Sequence, residues 1–300
     1  MDGKTMTNRM LQILNEASTS GIINSRLTYD FLNEGARDWV IQTECLTAEA
    51  TLTTVASTAD YVLPADYLGL YMKHDGKYFV KYYDGTNYTF IDFREYASIY
   101  WENDTTAVDI PNYFTIRDYG SIYAQVTGSA NADGAATGGR CQLSVAASTF
   151  TNVSAGDIIH NTTDGSTGVV LSKTSTTAIY VALFGGTGND ITSADAFVIQ
   201  PRGRLMVTLN PPPETATQYV YVPYLQAPDP VYHDYGVFRI NFDYTEALAN
   251  YAAWKYKYKD KAADYGDKFF QVYMNEISKY RRQTTKAFAK PNATIYPRLK

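Results

Sequence analysis

Histidine and cysteine are scarce in this chain: its 300 residues hold three of the first and two of the second. His74, His160 and His233 stand outside metal-ligand spacing of one another and of either cysteine, which removes the local zinc patterns and any short-range catalytic dyad. Cys45 and Cys141 lie far apart in unlike contexts. They support one disulfide at most, and both read as reduced structural residues. Also missing are the Gly-x-Ser-x-Gly elbow, the His-Glu-x-x-His helix and the Walker loop, so the commonest hydrolase and nucleotidase readings fall away. No long apolar run exists either. The opening MDGKTMTNRMLQILNEAS carries Asn, Arg, Gln and Glu where an export signal needs unbroken apolar residues, and nothing approaches the ~20 residues of a membrane span. The expectation is a protein made in a cytoplasm-like space, without a membrane partner. Charge is sparse at 19%, with a net −5. That balance argues against a chain whose main work is neutralising phosphates, although a DNA channel with mildly acidic walls stays open.

What the chain has in excess is tyrosine, 27 residues beside 13 Phe and 3 Trp. A tyrosine joins a large apolar ring to a polar tip, and it is enriched where proteins meet proteins. The composition therefore suits extensive subunit contacts, or equally a half-wet sheet. At this length a chain buries roughly 75% of its unfolded surface, enough for one large domain or two modest ones.

Helical spacing marks both ends. Met6, Met10, Ile13, Leu14 and Ala17 predict a helix over 5–18, and Phe31, Leu32, Ala36, Trp39 and Val40 a second over 28–45, capped by Thr28. Asp243 opens a third over 243–262, with Tyr244, Ala247, Leu248, Tyr251, Trp254 and Tyr258 on one face; a fourth over 265–289 carries Phe270, Tyr273, Met274, Ile277 and Tyr280. Between them the texture is β-branched and aromatic. Asp75-Gly76 and Asp84-Gly85 are hairpin turns, and a short helix is expected around Phe90 to Trp101. From 125 to 202 tyrosine nearly vanishes and Gly, Ser, Thr and Asn take over, as in an inserted small β-barrel or β-sandwich. Within it SAGDIIHN echoes SADAFVIQ, which suggests related edges of one module. Pro211-Pro212-Pro213 marks a connection, because a proline cannot donate to a central ladder.

Few constellations invite chemistry. Gly185-Gly186-Thr187-Gly188-Asn189-Asp190 lacks the P-loop lysine and a following helix, so it reads as a turn. Asp157, Asp164, Asp190 and Asp195 sit beside turn residues and read as turn formers rather than as a glycosidase pair. No catalytic, cofactor or metal residues are assigned, and an enzyme is not expected. Arg281, Arg282 and Lys286, with Lys279 and Lys290, make the last helix end basic, which suits a solvated face, an acidic partner or DNA phosphates. The closing 291–300, with two prolines and no periodicity, is expected to leave the body as an extended arm.

Four motifs taken in order give the chain a resemblance. LNEGARDWVIQTECL, ADYVLPADYLGL, LNPPPE and EALANYAAWKYKYKDK together resemble the head-to-tail adaptor, or connector, proteins of tailed bacteriophages, over 1–124 and 203–290. The resemblance implies an α+β fold with a helical adaptor core built from the N- and C-terminal helices, interrupted by the 125–202 domain. It implies a structural virion protein at the neck: a twelvefold ring of the chain itself, docked under the portal protein, extending the channel for packaged DNA and offering a platform to tail, nozzle or collar proteins. It gives the arm, through Pro291, Tyr296, Pro297 and Arg298, a portal-docking role. The alternative is a glycan-binding or fibre-attachment virion module that works through the inserted domain.

Overall fold

The computed structural model describes residues 1–16, 25–73, 77–96, 108–118, 120, 122–259 and 263–288. Two compact units divide the chain. One is drawn from Thr5–Thr43 and the chain from Ile240 on, the other from Asp2–Lys4 and Glu44–Arg239.

The first unit is helical, with α1 Gly3–Leu14, α2 Ser25–Thr43, α3 Thr245–Lys259 and α4 Ala263–Phe288. In α1 the three- and four-residue spacing of Met6, Met10, Leu11 and Leu14 turns one stripe inward. In α2 the buried stripe is Thr28, Leu32, Ala36, Trp39 and Val40; Thr28 lies inside this helix rather than capping it, since α2 starts at Ser25. Unlike these, α3 buries seven residues in succession, Ala247 to Ala253. A helix buried all round occupies the centre of its unit, and its four alanines let the neighbouring helices come close. Tyr258, expected on its apolar face, is instead exposed.

Aromatic rings fasten this unit. The fully buried Trp39 ring lies 5.4, 6.0 and 5.8 Å from those of Tyr244, Tyr273 and Tyr280, within the range of favourable ring pairs. One turn apart on α2, Asp38 accepts a hydrogen bond from the Tyr273 hydroxyl at 2.7 Å and Glu34 accepts one from Tyr251 at 3.1 Å. Between the two carboxylates sits Gly35, where a Cβ would stand 2.9 Å from the Tyr251 ring. A glycine disfavours a helix interior by roughly 1 kcal/mol; here the close approach of α3 requires it.

The second unit is β. Its strands are β1 Thr47–Thr53, β2 Asp60–Val62, β3 Tyr67–Leu70, β4 Met72–Lys73, β5 Lys77–Tyr78, β6 Val80–Tyr83, β7 Tyr88–Phe93 and β8 Tyr113–Asp118. There follow β9 Val126–Ser129, β10 Cys141–Ser144, β11 Ile158–Asn161, β12 Ser166–Lys173, β13 Ala178–Phe184, β14 Ala196–Gln200, β15 Leu205–Asn210 and β16 Tyr219–Gln226. An eight-stranded sheet runs β1-β16-β6-β7-β8-β15-β2, with β3 also paired to β16, and a six-stranded sheet runs β10-β13-β12-β11-β14-β9. Each encloses its own apolar core, around Ile91, Phe114, Val207 and Val222 in the larger sheet and around Phe150, Val181, Phe197 and Ile199 in the smaller. Three prolines, Pro211 to Pro213, occupy the connection from β15 to β16.

The echoed segments are neighbours: β11 and β14 pair antiparallel, Ile159 opposite Ile199. Each is preceded by the same turn. Asp157 N–H donates to the Ser154 carbonyl at 3.2 Å while its carboxylate accepts the Ser154 N–H at 2.8 Å; Asp195 repeats both bonds with Thr192 at 3.1 and 2.8 Å. The third turn residue is left-handed in both, Gly156 at φ 88° and Ala194 at φ 74°.

The expectation of a helical adaptor core is overturned. The described residues form sixteen strands, fourteen of them in two barrel-like sheets, and only four α-helices, which form a unit of their own. The error has a physical source. Helical spacing is local and legible, whereas the larger sheet is closed by partners such as Ala50 and Val222, whose separation in the chain leaves no mark on either segment. The short helix expected around Phe90 to Trp101 begins as strand β7, Tyr88–Phe93, and its later part, 97–101, lies outside the described residues.

Two expectations follow. Gly35→Ala lowers stability by about 1–3 kcal/mol in urea unfolding despite its gain in helix propensity, because the Tyr251 ring has to move. Burial, then hydrogen bonding and charge from Asp38, raise the Tyr273 pKa above its ordinary value, and burial with Glu34 does the same for Tyr251. A raised folded-state pKa favours the neutral hydroxyl, so this stability is complete below the unfolded value of about pH 10 and declines progressively as pH rises from there toward the raised folded-state value. The urea midpoint, followed from pH 8 to pH 11, falls only in the upper part of that range.

Candidate functional site

Alternation along the larger sheet separates two faces. On β16, Val220, Val222 and Tyr224 are buried, so Tyr219, Tyr221 and Pro223 project to the other side. Register then gathers an outward row: Tyr83 lies opposite Tyr88 and Tyr219, and Lys81 opposite Phe90 and Tyr221. Ring centroids are 4.7 Å apart for Tyr83 and Tyr88, 6.0 Å for Tyr88 and Tyr221 and 6.3 Å for Tyr219 and Tyr221. These rings remain open to solvent, with Phe90 61% and Tyr88 59% exposed.

One ammonium sits among them. Lys81 Nζ stands 5.7 and 5.8 Å from the centroids of Tyr88 and Tyr221, with Glu49 Oε2 at 4.0 Å. Such cation–π contacts contribute about 0.5–1 kcal/mol at exposed sites. Desolvation, then Tyr88, Tyr219 and Glu49, push the Tyr221 hydroxyl upward, so it stays a neutral donor at neutral pH.

The face is interrupted by a groove, and Pro223 shows why. Tyr219 to Tyr221 pair with β6, whereas Tyr224 to Gln226 pair with β3. Pro223 stands at the changeover, where its missing N–H costs no ladder bond while its carbonyl still accepts from Tyr71 N–H at 3.2 Å. Beside this fork lies a hollow of about 590 Å³ lined by Glu49, Tyr71, Phe79, Lys81, Phe90 and Pro223. The Glu49 carboxylate and the Lys81 ammonium line it together, and Asp92, two residues along β7 from Phe90, is exposed.

The residues singled out from sequence are dispersed. Arg281 donates from Nε to the Gln42 carbonyl at 2.8 Å, satisfying the last turn of α2, while Arg282 is exposed on α4. The backbone of Lys286 continues α4, but its side chain lies outside the described residues, as do His74, the Asp75-Gly76 turn and the arm residues Pro291, Tyr296, Pro297 and Arg298. His160 Nδ1 meets Thr167 Oγ1 at 3.2 Å on the surface. His233 has a lowered pKa from desolvation and from Arg140. Asp157 is fully buried, also accepts Arg202 N–H at 3.1 Å, and has its pKa raised by desolvation. Asp164 and Asp195 share the Asn161 amide at 3.1 and 3.0 Å, and the Asp164 carbonyl receives Thr187 N–H of the glycine-rich loop at 3.1 Å. These bonds stitch turns together. Both cysteines are free, and burial pushes the Cys141 thiol up to about 12.

Among the described residues no group of three or more His, Cys, Asp or Glu could hold a metal ion, and no helix is long and apolar enough to cross a membrane. The large exposed apolar side chains of 125–202 come down to Ile158. The aromatic face, which sequence reasoning missed, lies on the other sheet; its signal was the crowding of Tyr and Phe between 67 and 93.

Residues 1–140 match the family model described as SU10 adaptor protein. The match spans α1 to β9 and leaves out α3 and α4. No curated protein matches the chain.

Adjacent residues of β7 separate surface from core. Phe90→Ser is expected to shift stability by no more than about 0.5 kcal/mol, whereas Ile91→Ala, which points into the core, costs about 2–5 kcal/mol. Urea unfolding of the two variants checks this.

Proposed function

We propose that this chain is a structural protein of a tailed-phage virion, a subunit of a ring between portal and tail, and that it works through its surfaces rather than through catalysis. In this reading the ring is built from copies of the chain, twelve where the portal imposes that symmetry. It docks beneath the portal, continues the channel through which packaged DNA passes, and carries tail, nozzle or collar proteins below. The match of residues 1–140 to a phage adaptor family is the observation that carries the proposal.

Physical features of the chain agree with it. A broad face of exposed rings on a rigid sheet is what a repeated subunit contact needs: aromatic side chains give large contact area at small conformational cost. The contacts between identical copies are heterologous, so they close into a ring when the rotation per subunit fits.

Electron microscopy of negatively stained mixtures of the purified chain and its portal protein provides the test. The expected result is an added ring of density on the portal and a largely monomeric chain in its absence. Portals that stay bare at saturating concentrations of the chain overturn the proposal.

A further inference from the structure

Cations of the β unit are unequally compensated. Its residues include 11 Lys and Arg against 21 Asp and Glu, a net −10, so carboxylates are plentiful there. Lys81, Arg117, Arg202, Arg204 and Arg239 each have one within ion-pair distance. Arg140 and Lys173 do not: among the described residues no carboxylate oxygen comes within 4.0 Å of either. Both line one hollow of about 440 Å³, together with Leu171, Val231, His233 and Val237.

Local bonding fixes these groups. Thr137 and Arg140 exchange backbone hydrogen bonds at 2.8 and 3.2 Å across Gly138 and Gly139, which are left-handed at φ 60° and 85°. The Gly138 carbonyl accepts Asp234 N–H at 2.9 Å, tying this turn to the loop that carries His233. A Cβ on Gly138 would stand 2.4 Å from the Tyr235 ring, so the close approach requires glycine. The Arg140 guanidinium lies 4.2 Å from the Tyr180 ring centroid, and Lys173, at the end of β12, donates to the Phe150 and Thr151 carbonyls at 3.4 and 3.0 Å. Neither contact neutralises a charge. Nδ1 of His233 is buried and has no hydrogen-bond partner among the described residues. Much of the remaining wall is apolar, with Leu171 and Val231 buried and Val237 59% exposed. One carboxylate, Asp229, also lines the hollow, and Arg239 stands 3.5 Å from it.

We propose that this hollow binds a carboxylate of a partner protein, an Asp or Glu side chain with an apolar neighbour in its own chain. Arg140 and Lys173 supply the positive charge, and charge-assisted bonds to a carboxylate are the stronger class of hydrogen bond. A carboxylate oxygen that accepts from Nδ1–H of His233 gives that nitrogen the bond it lacks, while the apolar wall receives the neighbouring side chain. Packaged DNA is a poorer occupant. A duplex carries one charge per about 1.7 Å of its axis, and a unit of net −10 repels such a polyanion, whereas a single carboxylate answers to the cations beside it. The inference does not depend on the ring reading: portals that stay bare leave it standing, and its failure leaves the ring standing.

Nuclear magnetic resonance of the full-length chain tests it. With three histidines the ring signals are few, and that of His233 is assigned by its loss in His233→Gln. The probes are the capped dipeptide acetyl-Glu-Leu-amide, its neutral counterpart acetyl-Gln-Leu-amide, inorganic phosphate and a short DNA duplex. The expected result is a saturable shift of the His233 ring with the acidic dipeptide, at a Kd of roughly 1 mM. Binding is weaker at about 0.5 M salt than at about 0.05 M. Arg140→Gln weakens it about tenfold or more, and Arg282→Gln, on the helical unit, leaves it unchanged. The His233 pKa, lowered by desolvation and Arg140 against the opposite effect of Asp234, rises on binding, because a neighbouring carboxylate favours the imidazolium; Asp229 and Lys173 are the other charged groups of the hollow. No saturation with the acidic dipeptide, or equal binding of the neutral one, overturns the proposal. So does a full response in Arg140→Gln, a His233 pKa that stays in place, tighter binding of phosphate, or displacement of the dipeptide by the duplex.

Discussion

Strand β16 is the constraint around which the β unit is organised. In eight residues it pairs with β1 along one side and with β6 and then β3 along the other. Strict alternation then divides its side chains: Val220, Val222 and Tyr224 hold the core, while Tyr219, Tyr221 and Pro223 face out. A slip of one residue would exchange the two sets, burying tyrosine hydroxyls and exposing valines. The buried set therefore fixes where the exposed aromatics stand. The outward face is a by-product of a register chosen by the core, which is why it is rigid.

The helical unit follows a different logic with the same residue type. Tyr251 and Tyr273 turn their rings into the core and their hydroxyls onto Glu34 and Asp38. Those two carboxylates, Gly35 and Trp39 occupy four positions of one α2 segment and meet α3 and α4 together. Tyrosine thus serves twice in this protein: with its hydroxyl satisfied it seals a helix junction, and with its ring bare it makes a surface.

How much of this could be read from the sequence depends on distance along the chain. The stripe of α1 is visible in the spacing of Met6, Met10 and Leu14 and that of α2 in Leu32, Ala36 and Trp39, whereas the roles of Glu34 and Gly35 are not, because both answer to Tyr251 of α3. Sheet partners such as Ala50 and Val222 are not, because nothing in either segment encodes the other. A surplus of tyrosine is plain in the composition, yet whether a given ring is buried or exposed depends on register. Hence the aromatic face went unread while the turn-forming roles of Asp157 and Asp195 could be inferred locally.

The six-stranded sheet begins at β9 and ends at β14, and those two strands are themselves hydrogen-bonded neighbours, Val126 opposite Ile199. The chain therefore leaves the larger sheet and comes back at nearly the same place, with Arg204 N–H donating to the Gly120 carbonyl at 3.1 Å beside the junction. A module attached by two adjacent ends places little strain on its host. It behaves as a cassette, whose length or sequence can change without disturbing the strand register of the larger sheet.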